Sequence, residues 1–376
     1  MQKILESIID QAPTFVVSCV ASLLLVALTP WLFSIMTRAN DESAVQAAHS
    51  RPTLRLGGVA CVLGMLFGCL YFNLWSSTSF LLLCTALPLF FVGVLEDVGH
   101  HMTPWVRMAA IAMSTLAAVF VFGIELNRLG IPGIDMLLGV APIAILFTVF
   151  AVTGAVNAFN LIDGVNGLAS YTAVSVSLSL SVLAWQFGHG DLLHLSSLVL
   201  AASFGFFIVN YPFGRLFLGD AGAYFLGFVL IGTGLILYER QPDVSAFSIL
   251  LIFFWPVADT CLAIWRRVKL STPHDRPDRL HFHQLVMRFI EIRVLGRGSR
   301  GRSNPLTTLF LIPFISIPQI TGVLLATHHV ASVIAVLFFG AAFFGSYALG
   351  MQIAKRGHVR HFSKQNEMPS NSVAAE

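Results

Sequence analysis

Apolar stretches of membrane-spanning length recur along the whole chain, near residues 14–36, 57–75, 78–95, 105–123, 134–153, 165–187, 194–211, 216–238, 245–266, 306–327 and 330–353. A helix needs roughly 20 such residues to cross a hydrocarbon layer ~30 Å thick. In lipid every backbone N–H and C=O must be bonded within the protein, so such stretches form helices or the strands of a closed barrel. These runs are continuous and do not alternate with period two, which rules out the short strands of a barrel. The expected fold is an all-α polytopic integral membrane protein of eleven transmembrane helices. Composition agrees: the chain is 56% hydrophobic and only 11% charged, against about 25% charged in soluble domains.

Alternating the spans from an outer N-terminus places Arg38, Arg51, Arg55, Arg107, Arg215, the basic residues from Arg266 to Arg302, and Lys355, Arg356, Arg360 and Lys364 inside, and only Lys3, Arg128 and Arg240 outside. That asymmetry is what the positive-inside rule demands, and it puts the C-terminus in the cytoplasm. Residues 1–360 are expected to form one transmembrane domain, with 268–304 a cytoplasmic loop and 361–376 a disordered polar tail. The first 13 residues have no basic region and no small-residue cleavage site, so the first helix is expected to be retained. A net charge of +3 calls for no nucleic-acid partner. The five cysteines sit in apolar runs without metal-ligand spacing, which fits packing.

Under this topology five polar stretches share the cytoplasmic face: 49–58, 96–107, 157–167, 210–222 and 266–302. A transporter more often gathers its polar groups at the midplane, on broken helices of repeated halves, and no internal repeat is present. Chemistry at the inner surface is the better reading. In the run Asn157-Ala-Phe-Asn160-Leu-Ile-Asp163-Gly-Val-Asn166-Gly-Leu168, one turn separates Asn157, Asn160 and Asp163, so two amides and an acid can share a helix face. Such a face can bind a metal or a diphosphate, or can be a capped helix boundary. No Gly-Lys-Ser/Thr follows, so it is not a phosphate loop. The adjacent Glu96 and Asp97 suit Mg²⁺, which takes hard oxygen ligands, or are solvated acids at a helix end. Asp220, flanked by Gly219 and Gly222 at the start of an apolar run, is placed to bind metal beside helix N-terminal amides, or to be an N-cap.

In the long inner loop, Arg279, His281 and His283 could hold a diphosphate. Phe282, Leu285, Val286, Phe289 and Ile290 are spaced for an amphipathic helix on the bilayer surface. With no cysteine or third ligand nearby, the two histidines do not make a zinc site. Asp259 is the one acid well inside a span, a functional candidate by position or one half of a structural pairing. His328 and His329 read as outer-loop residues.

In this order the motifs resemble those of the polyprenyl-phosphate N-acetylhexosamine-1-phosphate transferases, the WecA-type enzymes of glycosyltransferase family 4, with the peptidoglycan enzyme MraY more distant. The resemblance spans roughly residues 49–290 and is carried by Arg51-Pro-Thr-Leu-Arg55-Leu-Gly57-Gly58, Glu96-Asp97, the Asn157 to Leu168 run, Phe217-Leu-Gly219-Asp220-Ala-Gly222, Pro256 to Thr260, and Asp278-Arg279-Leu-His281-Phe-His283. It implies transfer of a sugar 1-phosphate from a UDP-sugar to undecaprenyl phosphate, with release of UMP and a need for Mg²⁺ or Mn²⁺. It also implies a multi-pass protein of the bacterial inner membrane and, as product, the first lipid-linked sugar of a surface polysaccharide.

Position by position, the resemblance makes Asp220 and Asn160 metal ligands, Asp97 the acid that activates the lipid phosphate, and Glu96 and Asp163 members of the same catalytic cluster. It gives Asn210 and Phe217 to the uracil, by hydrogen bond and stacking, and Asn166, Leu161 and Asn157 to the substrate. Arg279, His281 and His283 become the diphosphate loop, with Asp259, Arg107 and Arg55 in support.

The chain departs from the family pattern at Glu96, Asn166 and Gln284, which replace two aspartates and a histidine. Two alternatives stay open: a transporter of a lipid-linked or nucleotide sugar, and a relative that binds polyprenyl phosphate without turnover. Whether an aspartate attacks first, and whether the protein is a homodimer, are open as well.

Overall fold

The computed structural model describes residues 2–35, 53–75, 77–270, 281–296 and 298–366, which are helical apart from turns, loops and one isolated parallel bridge between Leu54 and Leu216. A short α1 (Gln2–Asp10) leads into α2 (Ala12–Ile35), followed by α3 (Gly57–Tyr71), α4 (Thr78–Thr85), α5 (Leu87–Asp97) and α6 (Pro104–Phe122). Next come α7 (Pro132–Leu138), α8 (Ala141–Leu161), α9 (Leu168–Gln186), α10 (Gly190–Asn210) and α11 (Gly219–Arg240). The chain continues through α12 (Ala246–Ile252), α13 (Phe254–Leu270), α14 (Phe282–Phe289), α15 (Arg300–Leu324) and α16 (His329–Asn366).

Eight of these helices are long and apolar enough to cross a membrane, and ten spans result if the bent pairs α4–α5 (47°) and α12–α13 (86°) each count as one. The eleventh expected span is α3, whose 15 residues fall short of the roughly 20 that a crossing needs. The span expected over 134–153 lies later, at Ala141–Leu161, because α7 ends at Gly139 and Pro142 opens a new first turn. Hydropathy alone does not register that break. The shift carries Asn157 and Asn160 into α8, whereas Asp163 lies beyond its end.

Residues 1–336 form one packed unit, and Leu337 onward, the later part of α16, forms a second. The helix runs to Asn366, past residue 360, and residues 367–376 lie outside the described residues. In the first unit α11 is buried along nearly its whole length, packed by α5, α8, α3 and α9. Small residues allow that enclosure, since apolar side chains gain little by leaving lipid and helices associate through close backbone packing. A Cβ at Gly58 would fall 2.2 Å from the Gly222 Cα, so α3 and α11 touch backbone to backbone. Many hydroxyls inside the helices bond back to the carbonyl one turn earlier, as Thr148 does to Ala144 and Thr233 to Val229, which satisfies those donors within hydrocarbon.

Candidate active site

The N-terminus of α11 is where the polar motifs meet. An α-helix starts with four N–H groups that have no partner within the helix. Three of the amides at this end are taken by carboxylates from elsewhere: Gly219 N–H donates to Asp163 Oδ2, Asp220 N–H to Asp97 Oδ1 and Ala221 N–H to Asp97 Oδ2, each at 2.9 Å. Asp97 closes α5 and Asp163 lies in the turn between α8 and α9. Asp220 stands on α11 itself, with its Oδ1 3.4 Å from Arg55 Nη2, and the same guanidinium lies 4.0 Å from Asp97. Arg55 is brought there by backbone: Phe217 N–H donates to Leu54 O, while Gly57 and Gly58 N–H donate to the carbonyls of Phe217 and Leu218. Gly219 is obligatory at this junction, since its φ is +77° and a Cβ would lie 1.9 Å from the Arg55 carbonyl oxygen.

Asp163 as a residue is only half-buried, but its carboxyl is turned onto the α11 terminus. Desolvation pushes its pKa up to about 7, against the opposing pull of Arg55 and the Gly219 amide. The adjacent acids Glu96 and Asp97 separate, as neighbours on a helix must. Glu96 Oε1 lies 3.4 Å from Arg107 Nη1, which also reaches Tyr224 Oη at 3.4 Å. The expected shared carboxylate pair is therefore one ion-paired glutamate and one aspartate whose two oxygens hold a helix end.

The central run is framed by a chain of side-chain to backbone bonds. Asn210 Oδ1 accepts from Gly167 N–H at 2.6 Å and its Nδ2 donates to Leu216 O at 2.6 Å. It thereby ties the start of α9 to the segment entering α11. The residue expected to read uracil is thus a buried latch, with both ends of its amide committed to backbone. Phe217, given to the uracil by the resemblance, is only 3% exposed.

Asn166 is pinned by α15: its N–H donates to Asn304 Oδ1 and its carbonyl accepts from Thr308 Oγ1. Its Nδ2 donates to Pro212 O at 2.9 Å. A carboxylate there would face that carbonyl, which gives the departure from aspartate a local reason. Asn304, Thr308 and Tyr224 were not singled out in the sequence; an Asn and a Thr one turn apart at the start of an apolar helix were the available signal for the first two. Asn160 carries a buried Oδ1 with no hydrogen-bond partner. Asn157 bonds back to Thr153 O, and Leu161 is 37% exposed with no polar task.

Asp259 resolves as a pairing, with α14. Its Oδ1 accepts from Phe282 N–H and its Oδ2 from His283 Nδ1, each at 2.7 Å, while His281 Nδ1 stands 3.5 Å from Oδ2. The two imidazoles stack with centroids 5.5 Å apart. The third potential ligand that the sequence lacked beside the histidines is thus supplied by α13, and donor atoms of all three residues lie within 4.8 Å of one another. As the side chains stand, Asp259 and His283 are in direct hydrogen bond at 2.7 Å. His283 Nε2 is buried without a partner and faces Gly164. Along α14 and the residue after it, Phe282, His283, Met287 and Ile290 are turned into the protein, while Phe289 is exposed and Leu285 and Val286 are intermediate. Arg279 lies outside the described residues.

Residues 79–238 match the family model described as glycosyl transferase family 4. The chain is 28% identical over 288 residues to a probable undecaprenyl-phosphate N-acetylglucosaminyl 1-phosphate transferase of Bacillus subtilis (strain 168), covering 76% of this chain and 79% of that one. It is 30% identical over 257 residues to the undecaprenyl-phosphate alpha-N-acetylglucosaminyl 1-phosphate transferase of Yersinia pestis, covering 66% and 69%. The Escherichia coli (strain K12) enzyme of the same name is 29% identical over 256 residues, again with 66% and 69% covered. The three aspartates gathered at α11 fall within or directly beside the regions so matched, and the chain belongs to glycosyl transferase family 4.

Proposed function

We propose that this protein transfers a sugar 1-phosphate, N-acetylglucosamine 1-phosphate or a related N-acetylhexosamine, from a UDP-sugar to undecaprenyl phosphate at the cytoplasmic face of a bacterial inner membrane. The products are UMP and a lipid diphosphate sugar, the starting unit of a surface polysaccharide. The observation that carries the reading is the convergence of Asp97, Asp163 and Asp220 on one buried helix N-terminus beside Arg55, in a chain whose relatives are named for this reaction.

The lipid phosphate oxygen attacks the phosphorus that bears the sugar, and the bond from that phosphorus to the bridging oxygen breaks, its electron pair leaving with UMP. Two anions must therefore meet in a site that already holds three carboxylates. The donor set fits a divalent cation: Asp220 and the unpartnered Oδ1 of Asn160 are hard oxygen ligands of the kind Mg²⁺ or Mn²⁺ takes. When bound, such an ion supplies charge neutralisation for the diphosphate. Asp97, with both oxygens on backbone amides, positions α11 and is ill placed to act as a nucleophile, which favours direct attack by the lipid phosphate. Asp163, whose pKa is pushed up to about 7, is the acid suited to take a proton from the incoming phosphate. Arg55 balances the cluster and attracts phosphate oxygens.

The test is UMP release by the purified protein with undecaprenyl phosphate, Mg²⁺ and a panel of UDP-sugars, with and without chelator. UMP that requires lipid, metal and one particular sugar establishes the reaction. Folded protein that releases none with any sugar removes it.

A further inference from the structure

We propose that Asn304 and Thr308, near the start of α15, are positioning residues of this site: they clamp the backbone of Asn166 and so hold the turn that carries Asp163 against the start of α11. The inference rests on the reaction proposed above. It adds to that reaction a helix lying beyond every motif that carries the resemblance and beyond the residues matched by the family model.

The turn between α8 and α9 has few partners of its own. Asp163 N–H reaches back to Asn160 O at 3.2 Å, but α9 opens on Gly167, whose φ is +80° and which has no side chain to cap the helix. Buried backbone groups in such a turn must be bonded from elsewhere. Asn166 is 7% exposed. Its N–H donates to Asn304 Oδ1 at 2.7 Å, and its carbonyl accepts from Thr308 Oγ1 at 2.6 Å. From the other side, Gly167 N–H donates to Asn210 Oδ1 at 2.6 Å. Consecutive backbone groups are thus gripped by α15 and by α10. Asp163 stands one short turn upstream, where its carboxylate meets Gly219 N–H. With the end of the turn fixed, few torsions remain through which that carboxylate can drift.

Two neighbouring hydroxyls of α15 separate packing from positioning. Thr307 is buried and donates to Ser303 O one turn earlier, the usual disposal of a hydroxyl in an apolar helix. Thr308 is buried as well, yet it gives its proton to a carbonyl 142 positions away in the sequence. Asn304 lies one turn before Thr308, so both contacts come from one face of α15. A turn held in this way presents its acid already oriented. Misplacing a reacting group by about 1 Å can cost about 100-fold in rate even when the change lies far from the chemistry. Loss of the clamp should therefore be felt in kcat.

The experiment follows UMP release by the full chain in detergent at saturating lipid and Mg²⁺, with UDP-sugar varied and turnover expressed per folded molecule. Thr308→Val keeps the shape and removes the donor. It is expected to lower kcat roughly tenfold to 100-fold with little change in the KM for UDP-sugar. Thr308→Ser, which keeps the hydroxyl, should hold kcat near wild type, and so should Thr307→Val, the control of equal shape and similar burial. An unchanged kcat in Thr308→Val, or an equal fall in Thr307→Val, would overturn the proposal. Should Thr308→Val not purify, Asn304→Ala removes the other contact and carries the same expectation and the same refutation.

Hydrogen exchange at the Asn166 amide can be read whether or not the protein turns over. In wild-type protein it is expected to be as slow as exchange within α9, and to quicken in Asn304→Ala. Exchange at the rate of an open turn in the wild type refutes the clamp. If wild-type protein releases no UMP, the reaction falls, while exchange still decides whether α15 holds the turn.

Discussion

Two helix N-termini in this molecule, those of α11 and α14, are held by carboxylates from elsewhere in the chain, yet the two ends gather different partners. At α11, Asp97 and Asp163 take the backbone amides while Asp220 stands beside them, and Arg55 pairs with this group. The end gathers three carboxylates beside one guanidinium, the setting in which the proposed function places a divalent cation. At α14, a single carboxylate, Asp259, serves one amide and one imidazole, with a second imidazole stacked beside it. There Nε2 of His283 is buried without a hydrogen-bond partner. The same capping device thus leaves several carboxylates together at one helix end and a carboxylate between imidazoles at the other.

The largest expected effect separates chemistry from capping at α11. Asp220→Asn should cut UMP release by roughly 100-fold to 1000-fold, the scale of losing a preorganised electrostatic group, with the melting temperature unchanged. Asp97→Asn should lose activity and stability together, because an amide oxygen can replace one acceptor while its NH₂ confronts the second backbone N–H. A fully active, normally melting Asp97→Asn protein would end the capping argument.

Glycines sharpen the contrast between the two ends. Gly219→Ala puts a Cβ against the Arg55 carbonyl at positive φ and should cost more than about 2 kcal/mol, seen as failure to purify in folded form. Gly164→Ala should purify and melt as wild type.

Phe217→Ala follows in size. The ring is buried, so truncation should cost about 3–5 kcal/mol of stability, and the melting temperature should fall even where residual KM is little changed. A large KM effect with intact stability would restore the stacking role expected from the resemblance.

The smallest effect is on stability against pH. The Asp163 pKa lies near 7 when folded, above its unfolded value of 3.8. Below the unfolded value both states are protonated and the site costs nothing. As pH rises to 7 the folded state must surrender a proton it holds more tightly, and the full cost of a buried charge is present above that. In metal-free buffer, the melting temperature of Asp163→Asn relative to wild type should therefore rise between pH 4 and 7 and then level off, by at most a few kcal/mol in stability. A difference that is flat with pH would show that Asp163 is not held in this way. Added Mg²⁺ should shrink the difference, since it compensates the charge.

Much of this was legible in the order of residues. Long apolar runs need helices, polar runs between them need partners, and Asp97, Asp163 and Asp220 stood out as acids at helix ends. The His281 and His283 pair stood out by spacing in the same way. Direction of bonding was not legible, because a carboxylate that grips a helix amide and one that faces a ligand look alike in sequence. Asn210 illustrates this: the resemblance gives its side chain to the uracil, and in the fold its amide bonds the backbone of Gly167 and Leu216. Glu96 and Asp97 illustrate it again, since adjacent positions on a helix diverge toward Arg107 and toward α11.

By itself, then, the sequence determined the class of fold, because hydrocarbon admits few ways to bond a backbone, and it determined the chemical kinds of residue near the site. Tertiary structure alone decided which atoms are spent and which are offered. Asp259 lies 24 residues from His283 and Asp97 lies 123 from the amide it caps; no local pattern couples positions so far apart, and only packing of α13 on α14 and α5 on α11 brings each acceptor to its donor.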